Sequence, residues 1–333
     1  MGGEVSDSVE LHHGGTVSPD VDYIRSLAET AAMLAEASKA KSTRARYESA
    51  WRVFSAWCDR LSLQPLPAGD HTLRAYIAHL EQISASPSTV GVHMSAIKWK
   101  HGKSGIRLER TPALDELIDG HLRRHGKAPQ KQARDITVKE LGRLVALLDP
   151  TVLRDVRDRA IILIGFSGGW RCSELVGIDL THIREADEGL SILVPRSKAD
   201  QYGEGKPKIA MYGARIETCP VTAYQRWRSL SGVTSGRLFR AVSRHEKPWG
   251  SGLSPQTVTD IVRARALATG LPDDEKAPWS AHTLRRGFAT VAARNGVPRH
   301  QIMEDGGWGS SAVDVYIKAG TEFKDRAASK LGL

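Results

Sequence analysis

Residues 281–316 open as Ala281-His282-Thr283-Leu284-Arg285-Arg286-Gly287-Phe288-Ala289-Thr290, continue as a helical run, turn at Gly306-Gly307-Trp308 and close on Asp314-Val315-Tyr316-Ile317. His282 and Arg285 stand three apart in a helix-compatible segment, so both point to one face. A His-x-x-Arg pair alone reads as a solvated helix face. Here it precedes a Gly-Gly-Trp turn and a tyrosine in a polar segment. A second arginine lies far upstream, in Gly168-Gly169-Trp170-Arg171-Cys172-Ser173-Glu174-Leu175. Two arginines, a histidine, an indole N–H and a phenol are the groups that phosphodiester cleavage by a tyrosine nucleophile requires.

The rest of the chain frames that stretch. At 333 residues it exceeds one typical domain, which predicts two. Apolar residues make up 41% and charged residues 26%, the balance of an ordinary globular protein. A net charge of +9 points to a polyanionic partner, and with no basic amphipathic anchor that partner is nucleic acid rather than membrane. Cys58, Cys172 and Cys219 form neither a disulfide framework nor a CxxC signature, which predicts a reduced, cytoplasmic setting, at the nucleoid for a DNA-acting protein. No apolar run approaches the roughly 20 residues of a membrane span. Residues 1–20 are polar and Gly-rich, without the apolar core of a secretory signal, and are expected to be disordered.

From Val21 the composition turns helical. Residues 22–40 are Ala-rich, and Ser42 or Thr43 is a candidate cap for a helix bearing Tyr47, Trp51, Phe54, Cys58 and Leu61. Pro65-Leu66-Pro67 breaks the chain before a third helix capped by Asp70. Ser86-Pro87 and Thr111-Pro112 open a fourth and a fifth, with proline at the first helical position. Residues 21–125 thus read as a small helical domain, and residues 126–135, polar and basic without periodicity, as a linker. Thr137-Val138-Lys139-Glu140 is a capping-box pattern opening a second domain over 136–320. Within it, residues 190–194 and 208–211 predict a hairpin around a Gly-rich loop, and helices are expected near 157–166, 220–230, 255–267 and 298–304, with a further one carrying His282.

As a set, the motifs between Arg171 and Tyr316 resemble the tyrosine recombinase (phage integrase) family, and the Gly-Gly-Trp form is most similar to its Cre-type branch. The resemblance implies a mainly α fold with a small β-sheet: a helical, SAM-like N-terminal core-binding domain and an α+β catalytic domain, in a Cre-like or Xer-like layout without a preceding arm-binding domain. Arg171-Cys172-Ser173-Glu174-Leu175 is close to the family's Arg-x-Ser-Glu-Leu motif, with Glu174 as the acid that orients Arg171. Arg285 supplies the second guanidinium, and a planar fork that stays charged suits the non-bridging phosphate oxygens. Lys198, where the first hairpin strand meets its loop, takes the place of the family's general acid; Lys206 and Lys208 are rivals, and Arg196 is only an electrostatic neighbour. His282 becomes a hydrogen-bond donor or acid/base at the phosphate. Trp308 stands where most members carry a second histidine and is either a positional donor or a core tryptophan under the Gly-Gly turn.

Tyr316 is the implied nucleophile; Tyr202 and Tyr212 lack the surrounding motif. A phenol is a poor nucleophile at neutral pH unless cations favour its ionised form. The run from Trp308 to Tyr316 is one residue shorter than usual in the family, to be absorbed by a tightened turn at Ser310-Ser311. The implied reaction is site-specific recombination of double-stranded DNA through a 3′-phosphotyrosyl link and a Holliday junction, by a homotetramer, without cofactor or metal. No Walker loop and no Asp/Glu/His metal cluster is visible in the sequence. Arg44, Lys98, Lys100, Lys103 and Arg263 are the candidates to face DNA, and residues 321–333 are a candidate subunit-exchange helix or a local cap. Two other readings stay open: a type IB topoisomerase with the same chemistry, and a non-catalytic DNA-binding protein descended from a recombinase.

Overall fold

The computed structural model describes residues 21–126, 133–195 and 205–322, and the chain divides into two units, Met1–Ala128 and Pro129–Leu333. In the first unit the described residues form α1 (Val21–Ala37), α2 (Lys41–Arg60), α3 (Asp70–Gln82), α4 (Pro87–Lys103) and α5 (Pro112–His125). Ser86 and Thr111 start α4 and α5 as the sequence predicts: each hydroxyl accepts a backbone N–H, from Thr89 and Leu114, at 3.2 Å. Two helix starts differ. α2 begins at Lys41 behind Ala40, so Ser42 and Thr43 lie inside its first turn. Gly69, not Asp70, precedes α3; the Asp70 carboxylate instead pairs with Arg74 at 2.8 Å and accepts the Thr111 hydroxyl, joining α3 to α5.

The apolar stripes of α2 to α5 meet in one core around Phe54, Trp57, Leu73, Tyr76, Ile77, Val90, Ile97 and Leu114. Tyr76 packs edge-on to Phe54 at 4.8 Å between ring centroids. Fully buried His101 is satisfied at both nitrogens: Nε2 accepts the Ala68 N–H at 2.9 Å and Nδ1 donates to the Ile97 carbonyl at 2.8 Å, which requires the neutral ring.

The second unit begins with α6 (Val138–Ala146), whose Thr137–Glu140 capping box is complete. α7 (Leu153–Ser167) runs through the core, buried on every side at Ala160, Ile161, Ile162, Leu163 and Ile164. The short α8 (Cys172–Val176) follows, then a three-stranded antiparallel sheet of β1 (Ile183–Ala186), β2 (Gly189–Val194) and β3 (Lys206–Met211), in that order. The expected hairpin is therefore the β2–β3 pair, with Ile192 opposite Lys208, and β1 extends it. α9 (Pro220–Ser231) packs on α7; a two-stranded ribbon of β4 (Ala241–Val242) and β5 (Pro248–Trp249) precedes α10 (Pro255–Ala268). α11 (Ala281–Arg294), α12 (Arg299–Gly306) and α13 (Asp314–Gly320) complete the described chain. Ala289, Ala293, Ile302, Trp308 and Val313 form a satellite core that seats α12 and α13 on α11. The fold is mainly helical with a small sheet, as expected.

Candidate active site

Arg171 is the residue just before α8, and Glu174 holds it from inside that helix. The buried Glu174 carboxylate accepts the Arg171 backbone N–H at 3.1 Å and its Nη1 at 2.5 Å. The other guanidinium nitrogen donates to the Gly307 carbonyl at 2.8 Å. The pair is thus not a solvated surface contact: Glu174 is 7% exposed, and one terminal of the guanidinium is tied to a segment 136 residues away.

Arg285 enters from the first turns of α11 and is 2% exposed. Its Nη1 donates to the Gly306 carbonyl at 2.5 Å and also to the Gly169 carbonyl, and its guanidinium carbon stands 3.7 Å from the centre of the Trp308 ring. Burial, then the charge of Arg171, push its pKa down to about 9, which leaves it protonated at neutral pH.

The Gly306-Gly307-Trp308 turn is shaped to admit that stacking. A Cβ on Gly306 would fall 1.7 Å from the Trp308 ring, and Gly307 ends α12 with φ +68, a left-handed conformation open to glycine. Trp308, 9% exposed, lies parallel to Phe288 at 6.4 Å between ring centroids and carries the Arg285 guanidinium against its ring. Its ring is packed in the cluster that seats α12 and α13.

Lys208 links the two Gly-Gly turns. Strand alternation sends Lys208 and Ala210 of β3 inward, where Nζ donates to the carbonyls of Gly168 at 2.8 Å, Gly306 at 3.0 Å and Asp305 at 3.3 Å, with Glu174 at 3.7 Å. Burial pushes its pKa down to about 7; Glu174 opposes this, and Arg285 and Arg171 reinforce it. Three carbonyl acceptors match the three donors of an ammonium, so the cage itself favours the charged form. Lys206, its sequence rival, points outward on the same strand. Lys198 lies outside the described residues, as do Arg196 and Tyr202.

His282, one helical turn before Arg285, places Nε2 3.0 Å from the Tyr316 hydroxyl. Desolvation by the surrounding chain, then Arg285, Arg286 and Arg171, hold its pKa below the ordinary 6.5. A neutral imidazole is therefore the form that faces the phenol. Tyr316 is half-buried, its ring 6.2 Å from Trp308 and 5.7 Å from the Arg286 guanidinium carbon. The tight turn expected before it is a 3-10 turn at Ser311–Val313 that runs directly into α13. Tyr212 stands apart, 47% exposed and hydrogen-bonded to Gln225.

Arg171, Glu174, His282, Arg285, Trp308 and Tyr316 thus form one constellation, with Lys208 inside it. The proposed DNA-facing residues are spread more widely. Lys98 and Lys103 are exposed on α4, and Lys100 is half-buried 5.8 Å from the Trp51 ring. Arg44 is paired with Glu36, and Arg263 with Asp273 at 2.6 Å.

Comparison with known proteins gives the same class. Residues 134–321 match the phage integrase family. The chain is 33% identical over 300 residues to an integrase/recombinase xerD homolog of Selenomonas ruminantium, covering 89% of this chain and 87% of that protein. It is 25% identical over 281 residues to the recombinase cre of Escherichia phage P1, covering 78% of each. A lambda integrase tetramer bound to a Holliday junction shares the fold at a TM-score of 0.55 and 16% identity, over 91% of this chain and 79% of that one. The chain belongs to the phage integrase family, the tyrosine recombinases, which break and rejoin DNA strands in site-specific recombination.

Proposed function

We propose that Tyr316 is the nucleophile and His282 the group that receives its proton. The observation that carries this is the 3.0 Å contact between the Tyr316 hydroxyl and His282 Nε2, on an imidazole kept neutral by burial and its arginine neighbours. As the phenolic oxygen bonds to phosphorus, its proton passes to His282, and the bond from phosphorus to the 5′-oxygen of the next nucleotide breaks. Arg171 and Arg285 stabilise the charge that develops on the non-bridging oxygens, and the indole N–H of Trp308 adds a neutral donor. Lys198 protonates the departing 5′-oxygen. The 3′-phosphotyrosyl link conserves the bond energy, so a 5′-hydroxyl from the partner strand reverses the step and restores the phenol.

Glu174 and Lys208 are positioning residues, since their contacts are to Arg171 and to the two Gly-Gly turns, which accept the Arg285 guanidinium and the second of which leads into Trp308. The partner is a double-stranded recombination site, gripped by residues 21–125 through Lys98, Lys100 and Lys103 as well as by the catalytic unit. A homotetramer working through a Holliday junction is the assembly; the lambda integrase tetramer of similar fold supports it. Such a protein works at the nucleoid. The test is a supercoiled plasmid carrying two copies of the chain's own site, taken from its flanking DNA. Excised circles carrying one site each are expected, whereas relaxation alone, equal on plasmids without the site, would replace recombination by a topoisomerase activity.

A further inference from the structure

Glu81, at the end of α3, is 40 residues before His121, yet its Oε2 lies 2.5 Å from His121 Nδ1 and 2.8 Å from His125 Nε2. The two histidines are four apart on α5, so they share one helix face, with ring centroids 4.5 Å apart. All three donor atoms lie within 4.8 Å of one another. No Asp/Glu/His cluster is visible in the sequence because the carboxylate comes from a different helix. His121 is buried, while the side chains of Glu81 and His125 are 26% and 23% exposed, so the cluster is rooted in the unit and reaches solvent on one side. Arg124 takes the other carboxylate oxygen at 3.3 Å and leaves Oε2 to the imidazoles.

A hydrogen-bonded tie between α3 and α5 needs one imidazole. Here two converge on a single oxygen, and both histidines project from adjacent turns of one helix. We infer that Glu81, His121 and His125 form a binding site for a divalent transition metal that favours imidazole, with zinc the first candidate. Two imidazoles and a carboxylate are a common zinc donor set, and they leave a fourth position for water. With bonds of about 2.1 Å, tetrahedral donors stand roughly 3.4 Å apart. Glu81 Oε2 therefore withdraws from each ring by less than about 1 Å as the ion enters, a movement its partly exposed side chain permits. Each ring binds through an unprotonated nitrogen: a neutral imidazole carries its proton on the other ring nitrogen, and only an imidazolium releases one to solvent. An ion here pins the last turn of α5 to α3, directly before Gly126 ends that helix.

The experiment uses the full chain without a histidine tag, titrated with Zn2+ by calorimetry and with Co2+ by visible absorption, and melted with and without Zn2+. One equivalent is expected to bind, with intense tetrahedral Co2+ bands and a rise in melting temperature. His125→Ala and Glu81→Gln, both at partly exposed positions, should each weaken binding by about ten-fold or more and remove the rise. If Zn2+ binds the wild type no better than these variants, or stabilises all three equally, the site is only a hydrogen-bonded tie. Metal-free melting curves establish that the variants fold, and Glu81→Gln carries the test should His125→Ala not. No readout depends on DNA cleavage, so failure here leaves the recombinase assignment untouched.

Discussion

The His282 imidazole stands 3.0 Å from the Tyr316 hydroxyl across 34 residues of chain, and it is held neutral. Burial and the charges of Arg285, Arg286 and Arg171 lower its pKa, so the proton-accepting form prevails at and above the ordinary histidine value of 6.5. Cleavage should therefore be flat near neutrality and fall as pH drops through a value below 6.5, where the imidazolium can no longer accept the phenol's proton. Single-turnover cleavage across pH checks this. His282→Ala should cost about a hundred- to ten-thousand-fold and remove that acid limb.

Lys198 and Lys208 separate by leaving group. Lys198→Ala should slow cleavage by about a hundred-fold or more on ordinary DNA, and a 5′-bridging phosphorothioate, whose thiolate leaves without a proton, should restore it. Lys208→Met acts through its cage and should not be rescued. It leaves the Gly168 carbonyl without its donor and should cost about 1–3 kcal/mol in denaturant unfolding. Lys206→Ala, on the outer face of the same strand, should change neither quantity appreciably.

Gly306→Ala tests the stacked turn. The added methyl would overlap the Trp308 ring, so the ring must leave Arg285 or α12 must shift. A stability loss of about 1–3 kcal/mol is expected, with cleavage reduced by at least about ten-fold in protein that is still folded.

Replacing Lys98, Lys100 and Lys103 by alanine together should weaken binding to all duplex sequences alike. The slope of log affinity against log salt should flatten by about 2–3, roughly 0.9 for each phosphate that is no longer neutralised. Arg263→Ala should leave that slope nearly unchanged, since Arg263 is engaged by Asp273 at 2.6 Å.

The members of the candidate site are more legible in the sequence than the scaffold behind them. Ser86, Thr111 and Thr137 announce their helices because a capping hydroxyl is a local signal, three residues from the N–H it accepts. Asp70 misleads by the same logic: its carboxylate is drawn to Thr111 on another helix, a contact no local pattern contains. The role of Lys208 is hidden because Lys206-Pro207-Lys208-Ile209-Ala210-Met211 alternates with a lysine, not an apolar residue, on the inner face, and only the carbonyls of two distant turns make that position tolerable. Strand β1 and the β4–β5 ribbon are too short to show a period of two. Arg171, His282, Arg285 and Tyr316 are legible because each sits in a motif, and the fold supplies what motifs cannot: the carboxylate, carbonyls and indole that hold them.

The most direct test of the account is a nicked suicide duplex carrying the chain's own recombination site, incubated with wild type and with Tyr316→Phe and resolved on a denaturing gel. Wild type should give a covalent protein–DNA band, and Tyr316→Phe should give none while still binding the duplex. A band that persists in Tyr316→Phe would place the nucleophile on another residue and contradict the site described here.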